Sequence, residues 1–234
     1  MNGSTSRVIA TRALTLIELL VVISLLAILI GFIVPLFSLE LHCKGPRIRV
    51  LATTLQISAA VKNYYTEYGT YPVADYAASS PSADVRLGDK RAGAMADNAE
   101  LFNILRAIDA GKNTGNAYNS KRIEFFTGRP VKNPTAPENG FLDTTGNGVR
   151  GAFYDPWGRQ FTVIIDANEN GVISLAGLYS DFTDRSVDRV DTGVRTGVGV
   201  LSLGADGEAG SPSRGITGAY RKANKISDDI MSWQ

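Results

Sequence analysis

A short segment in the second half of the chain carries oxygen-bearing side chains at alternating positions before a glycine. These side chains are Asp166, Asn168 and Asn170. The first half of an EF-hand loop gathers ligands around Ca²⁺ in this way. The acid that closes such a loop is missing, because Ser174 and Leu175 occupy the region where it is needed. Asn170-Gly171 is also a strong hairpin signal, so the segment is predicted to be either a weak Ca²⁺ site or a plain hairpin turn.

The sequence offers few residues for other kinds of metal, catalytic or phosphate-binding site. The single histidine, His42, and the single cysteine, Cys43, are neighbours. One residue of each type cannot assemble a conventional Zn²⁺ site or a Cys/His catalytic pair, and one cysteine cannot form an intrachain disulfide. The sequence contains no Gly-rich phosphate loop and no nucleophile elbow. The formal net charge of +1 gives no reason to expect nucleic acid as a partner. We therefore expect a protein that is not an enzyme and does not bind nucleic acid.

Glu18 lies at the start of a long apolar run. From Leu19 to Phe37 only Ser24, Gly31 and Pro35 interrupt the aliphatic and aromatic side chains. About 20 apolar residues suffice for a helix to cross a bilayer core, so the run predicts a membrane span. A carboxylate at that depth costs at least a few kcal/mol, which makes Glu18 a candidate functional residue.

A local explanation for Glu18 is a helix-entry capping box with Thr15, in which each side chain accepts a backbone N–H near the other residue. An acid in the first turn also suits the helix dipole. This alternative explains where the helix begins. It does not explain why the helix follows a short leader that carries Arg7 and Arg12 and no acid.

The elements that would position these residues begin with a long helix. The helix is expected to continue past the apolar run, to break at Gly45-Pro46, and to resume as an amphipathic stretch from Arg47 to Gly69. Residues 73–97 are predicted to be a surface connection, and the apolar spacing in 98–110 predicts a short helix.

The second half of the chain predicts strands joined by turns. The predicted strands are 121–126, 160–165, 172–175 and 199–203. Asp155-Pro156-Trp157-Gly158 places proline and glycine where a turn prefers them. A helix followed by antiparallel strands indicates an α+β domain, with one long helix packed on a small antiparallel sheet.

Residues 12–37 resemble the N-terminal signature of prepilin-like proteins, the family of type IV pilins and type II secretion pseudopilins. The family sequence Thr-Leu-Ile-Glu-Leu-Leu-Val-Val stands intact at residues 15–22. The resemblance implies cleavage by a prepilin peptidase between Ala13 and Leu14, N-methylation of Leu14, and a role for Glu18 in subunit assembly. Ala13 and Leu14 depart from the Gly and Phe that are usual there. A secretory signal peptide, the alternative, has a shorter apolar core and no acid before it.

Three later segments are also similar to this family. Residues 64–72 resemble the end of the long helix in pseudopilins, and the turn at residues 155–158 resembles a fold-defining turn. Residues 202–207 and 227–233 resemble the closing segments of the major pseudopilin, which enclose a structural Ca²⁺. The resemblance implies Asp206 and Asp229 as Ca²⁺ ligands, with Asp228 a neighbouring candidate. A solvated acidic C-terminus is the alternative, because residues 208–225 carry four basic side chains that would oppose a cation.

The resemblance implies a pilin-like organisation. Its parts are a leader over 1–13, a transmembrane and filament-core helix over 14–37, an amphipathic continuation over 38–72, and a globular α+β domain over 73–234. The basic leader would lie on the cytoplasmic side by the positive-inside rule. We therefore expect a single-pass protein of the bacterial inner membrane, with its globular domain and its assembled filament in the periplasm.

The implied function is that of a structural subunit in a pseudopilus-like filament of a type II secretion system. Its partners would be further copies of the chain, other pseudopilins, the prepilin peptidase and the inner-membrane assembly platform. Glu18 would face the amine of Leu14 in a neighbouring copy. A type IV pilus subunit or minor pilin is the first alternative, since residues 73–151 exceed what a major pseudopilin usually carries. A membrane-anchored periplasmic binding module, with its leader intact, is the second.

Overall fold

The computed structural model describes residues 16–74, 83–175, 178, 193–209, 221–222, 225–226 and 228–233, with no side-chain description for 31–45, 221–222 and 225–226. The chain divides into two compact units, Met1–Gly45 and Pro46–Gln234. The described residues form an α+β structure with two α-helices, two 3₁₀ helices and several small antiparallel sheets.

Helix α1 (Leu16–Tyr68) is 53 residues long. The break predicted at Gly45-Pro46 is wrong, because both residues lie inside α1. A proline inside a helix costs about 3 kcal/mol through one lost hydrogen bond and a carbonyl clash, and the many remaining hydrogen bonds of a long helix can offset that cost. The predicted C-terminal end is confirmed: Gly69 has φ +69°, and its N–H donates to the Tyr65 carbonyl at 2.8 Å. Glycine adopts this left-handed conformation without strain.

The membrane-spanning part of the predicted fold is wrong. Among the residues that the structure describes, no helix is long and apolar enough to cross a membrane. This finding corrects both the pilin-like fold with a transmembrane helix over 14–37 and the single-pass inner-membrane location with a periplasmic domain.

The main sheet of the second unit has four antiparallel strands. They are β1 (Val85–Leu87), β4 (Thr162–Ile165), β7 (Val198–Ser202) and β10 (Ile230–Met231), in the order β1-β4-β7-β10. In the register of the central pair, Ile164 lies opposite Gly199, and Ser202 lies opposite Ile230 at the sheet edge. The pairing of β10 with β7 brings the last residues of the chain beside the loop that follows β7.

Three two-stranded sheets complete the described strands. They pair β2 (Gly140–Phe141) with β3 (Phe153–Tyr154), β5 (Ile173–Ser174) with β6 (Gly193–Val194), and β8 (Arg221–Lys222) with β9 (Lys225–Ile226). The helices after α1 are short: a 3₁₀ helix at Lys90–Ala92, α2 at Ala99–Leu105 and a second 3₁₀ helix at Gly111–Asn116. Helix α2 lies within the helix predicted over 98–110.

Two sequence predictions about the middle of the chain are wrong. Within residues 73–97, predicted as a surface connection, β1 pairs with β4 and buries Val85 and Leu87. The predicted strand 121–126 is not a strand, because the Asn119 amide group accepts the N–H of Ile123 at 3.0 Å and donates to its carbonyl at 2.8 Å. A side chain that satisfies both backbone groups of a residue removes them from strand pairing.

The main core of the second unit joins α1, α2 and the main sheet. Ile57, Val61 and Tyr64 of α1 are at most 2% exposed, and they belong to the same core cluster as Val163 and Val200 of the sheet. A group of phenylalanines fills the space between α2 and the strands, with ring centroids 4.4–6.0 Å apart. Edge-to-face and offset aromatic pairs contribute about 0.5–1.5 kcal/mol each beyond burial. This core fixes β4 and β7, which carry the loops described next.

Candidate functional site

The predicted processing site lies outside the described residues, since the structure describes neither Ala13 nor Leu14. Glu18 lies in the first turn of α1 and is exposed. The large apolar side chains from Leu16 to Ile30 are 49–81% exposed. The first unit therefore presents an apolar helix surface from Leu16 to Ile30, with Glu18 in its first turn.

The turn at residues 166–171 brings the three predicted ligands Asp166, Asn168 and Asn170 together. Asp166 Oδ1 accepts the N–H of Asn170 at 3.1 Å, and its Oδ2 accepts the N–H of Gly171 at 2.7 Å. Asn168 Oδ1 accepts the same Asn170 N–H at 3.1 Å, and Asn170 Oδ1 accepts the N–H of Val172 at 2.8 Å. Each predicted ligand thus accepts a backbone N–H of its own turn. This is the hydrogen bonding of an Asx turn, and Ca²⁺ binding here stays a prediction.

The loop after β7 lies against the C-terminal acids. Asp228 and Asp229 are 2% and 0% exposed. Asp228 Oδ2 accepts the backbone N–H groups of Ala205 and Asp206 at 2.6 and 3.3 Å. Gly204 has φ +69°, and a Cβ on it would lie 2.5 Å from that oxygen, so only glycine lets the backbone approach so closely. The structure therefore places the Asp206 backbone N–H against Asp228, the neighbouring candidate, and Ca²⁺ binding by Asp206 and Asp229 stays a prediction.

The charge on Asp228 is not favoured by its surroundings. Burial raises the pKa of Asp228, the neighbouring Asp206 carboxylate raises it further, and the two backbone N–H groups lower it. Its second oxygen, Oδ1, is buried and has no hydrogen-bond partner among the described residues. A buried carboxylate with an unpartnered oxygen needs a nearby positive charge or a proton.

Arg159 contacts the same loop from the other side. Its guanidinium donates to three successive backbone carbonyls, those of Gly204 at 2.9 Å, Ala205 at 3.3 Å and Asp206 at 3.2 Å. Gly207 has φ +70°, and a Cβ there would lie 2.0 Å from Arg159 Nε. The sequence analysis missed Arg159, because 45–47 residues separate it from the carbonyls that it contacts. The available sequence signal was that Arg159 directly follows Gly158, the last residue of the predicted turn.

Asp155 anchors the turn that presents Arg159. The side chain is 0% exposed. Its Oδ1 accepts the N–H groups of Trp157 and Arg159, both at 2.9 Å, and its Oδ2 accepts the hydroxyl of Ser202 at 2.6 Å. Burial raises the pKa of Asp155 to about 6, although these hydrogen bonds and the Arg159 charge lower it. Asp155 thereby ties the turn at residues 155–158 to the end of β7.

Arg47 is the second basic side chain that the sequence analysis missed. Its guanidinium carries a buried Nη1 that has no hydrogen-bond partner among the described residues. Burial lowers the pKa of Arg47, while Asp228 and then Asp229 raise it. The second unit thus places a helix arginine near the two C-terminal acids. Arg47 begins the predicted amphipathic stretch, but sequence spacing gave no link to residues 228–229.

Comparisons with protein-family models, with curated proteins and with solved structures returned no match for this chain.

Proposed function

We propose that this chain is a structural subunit of a pseudopilin-like filament, cut after Ala13 by a prepilin peptidase, N-methylated at Leu14 and assembled through the first part of α1. The observation that carries this proposal is the apolar helix surface from Leu16 to Ile30, whose large side chains are 49–81% exposed. The peptidase-type motif at residues 15–22 overlaps the start of this surface.

Packing of copies through this surface follows from its chemistry. Exposed apolar patches larger than a few hundred Å² mark interaction surfaces. Burying a Leu, Ile or Val side chain that is now exposed contributes about 1.5–3 kcal/mol. A helix that is apolar around its whole circumference is expected to be buried, and helices of further copies would cover all of its sides. The proposed partners are therefore copies of the chain and other pseudopilins.

Glu18 would set the axial register of that packing. In the proposed filament its carboxylate pairs with the positive amine of the mature N-terminus, Leu14, in a neighbouring copy. Removing one partner of a buried ion pair is strongly destabilising, whereas the intact pair is tolerated. Arrangements that separate Glu18 from the amine are then disfavoured. The similarity of residues 202–207 and 227–233 to the major pseudopilin supports a secretion filament over a type IV pilus.

Processing is tested by co-expressing the full chain with a prepilin peptidase and measuring the intact mass. The expected product lacks residues 1–13 and carries one added methyl group. The matched variant Ala13→Leu places a bulky side chain at the cut and is expected to remain uncut. A wild-type chain that retains Met1 in the presence of active peptidase would contradict the proposal.

Assembly is tested with Glu18→Ala in the processed chain. We expect at least about a tenfold loss of sedimentable filament, because a lost ion pair of about 1.4 kcal/mol per contact changes an equilibrium tenfold. Ser24→Ala is the control, since Ser24 also lies on α1 and its hydroxyl donates to the Leu20 carbonyl of the same helix. Filament yields for Glu18→Ala that equal those of Ser24→Ala would exclude the assembly role of Glu18.

A further inference from the structure

The loop after β7 is where the resemblance implies a Ca²⁺ ion, and the backbone carbonyls of residues 204–206 and one carboxylate oxygen each of Asp206 and Asp228 are already engaged. Ca²⁺ takes six to eight oxygen ligands. The carbonyls of residues 204–206 accept from Arg159, and Asp228 Oδ2 accepts two backbone N–H groups. Asp206 Oδ1 accepts the N–H of Glu208 at 2.9 Å. Within the described ranges, no three His, Cys, Asp or Glu side chains are grouped to hold a metal. The donor set does not fit a calcium cage.

Arg159 supplies the positive charge that a bound cation would otherwise supply to the backbone carbonyls of residues 204–206. A guanidinium is always charged and presents five N–H donors in a rigid fork. Its Nη1 and Nη2 lie 2.9–3.3 Å from three carbonyls that point toward one place. Asp155 accepts the Arg159 backbone N–H at 2.9 Å and so fixes the base of the side chain. The left-handed Gly207 leaves the space that Nε needs.

Arg47 provides a second positive charge, on the side of the acids. Burial lowers the pKa of Arg47, and the carboxylates of Asp228 and then Asp229 raise it, because each favours the charged guanidinium. Arg47 Nη1 is a buried donor, and Asp228 Oδ1 is a buried acceptor, and neither has a hydrogen-bond partner among the described residues. The buried Asp228 carboxylate needs such a charge, because a buried carboxylate without an opposite charge is strongly destabilising.

We propose that Arg159 and Arg47 are the resident cations of the loop at residues 203–209, and that they close it on Asp228 without a divalent metal ion. Arg159 holds the loop carbonyls, and Arg47 balances the C-terminal acids. This proposal concerns how the second unit holds its last strand, and it is independent of whether the chain forms a filament.

The wild-type chain gives the first test. Backbone amide hydrogen exchange is measured for a peptide covering residues 203–209 in the full-length protein, once with excess EGTA and once with millimolar CaCl₂. The N–H groups of Ala205 and Asp206 are expected to exchange at rates that agree within twofold. A tenfold or larger gain of protection with CaCl₂ would overturn the proposal.

The arginines are then tested by substitution. Arg159→Gln is expected to speed exchange of the 203–209 amides at least tenfold in EGTA. The control Arg129→Gln removes an exposed arginine whose side chain donates to the Asn139 carbonyl, and it should leave the loop at residues 203–209 unchanged. Arg47→Gln is expected to have an intermediate effect. Equal exchange in Arg159→Gln and Arg129→Gln would contradict the role of Arg159, and a variant that fails to fold leaves the wild-type measurement to decide.

Discussion

The turn at residues 166–171 and the loop at residues 203–209 each carry an acid before a glycine, yet the turn is held by local hydrogen bonds and the loop by contacts from distant parts of the chain. In the turn, side-chain oxygens accept N–H groups from two to five residues away. In the loop, the contacts join residues 22–47 apart in the chain. The turn is therefore a local structure that its own sequence specifies. The loop is a tertiary structure that depends on the turn at residues 155–158 and on the C-terminal acids.

The largest effect on stability is expected for Asp155, which contacts both Ser202 before the loop and the backbone of Arg159. Asp155→Ala should lower the free energy of unfolding by about 3 kcal/mol at pH 5, because three donors lose their acceptor at about 1 kcal/mol each. Chemical denaturation of the full chain measures this change. Asp109→Ala is the control, since Asp109 is exposed and accepts the N–H of Gly115. Similar losses in the two variants would show that Asp155 does not support the loop.

The same residue, Asp155, gives the stability of the loop a pH dependence. The folded-state pKa of Asp155 is raised from 3.8 to about 6, so the folded chain binds more protons than the unfolded chain between these values. This contribution to stability is fully present below about pH 4 and is lost as the pH rises through about 6. A pKa raised from 3.8 to about 6 corresponds to a change of about 3 kcal/mol at most in the free energy of unfolding.

Asp155→Asn isolates this pH effect. The amide keeps an acceptor for the Trp157 and Arg159 N–H groups and can donate to Ser202, but it does not titrate. Free energies of unfolding at pH 4 and pH 7 are expected to differ less in Asp155→Asn than in the wild type. Identical pH dependence in the two proteins would contradict the raised pKa of Asp155.

The contrast between turn and loop also shows what the sequence could predict. Regular spacing predicted the helix that became α2 and the strand that became β4, and Asn170-Gly171 indicated the local turn. Strand β1 has only three residues, too few to show a period. Arg159 was missed because its contacts depend on how β4 and β7 pair. The membrane span was predicted from the hydropathy of the apolar run alone. Hydropathy indicates which side chains avoid water, but it does not identify what covers those side chains.

A smaller effect is expected for Asp166 in the local turn. Asp166 is 2% exposed and accepts two backbone N–H groups, so Asp166→Ala should cost about 1–2 kcal/mol. Because these contacts are local, faster amide exchange should be confined to residues 168–172, while residues 204–206 keep their protection. Hydrogen exchange resolved by peptide measures both segments in one experiment. Loss of protection in both segments would mean that the turn and the loop are coupled.

The smallest effect on stability is expected for Asn170. Its substitution tests whether the turn is held by its own hydrogen bonds alone or also binds a cation. Asn170 is exposed, and its Oδ1 accepts the N–H of Val172 at 2.8 Å. Water can replace an exposed acceptor, so Asn170→Ala should cost only about 0.5 kcal/mol. Asn170→Asp keeps the acceptor and adds a charge that a bound Ca²⁺ would favour. If the turn only satisfies its own backbone, CaCl₂ should leave the melting temperature of Asn170→Asp unchanged. A Ca²⁺-dependent rise in Asn170→Asp that is absent from Asn170→Ala would instead identify the turn as a cation site, and would reverse the contrast with the loop that Arg159 holds.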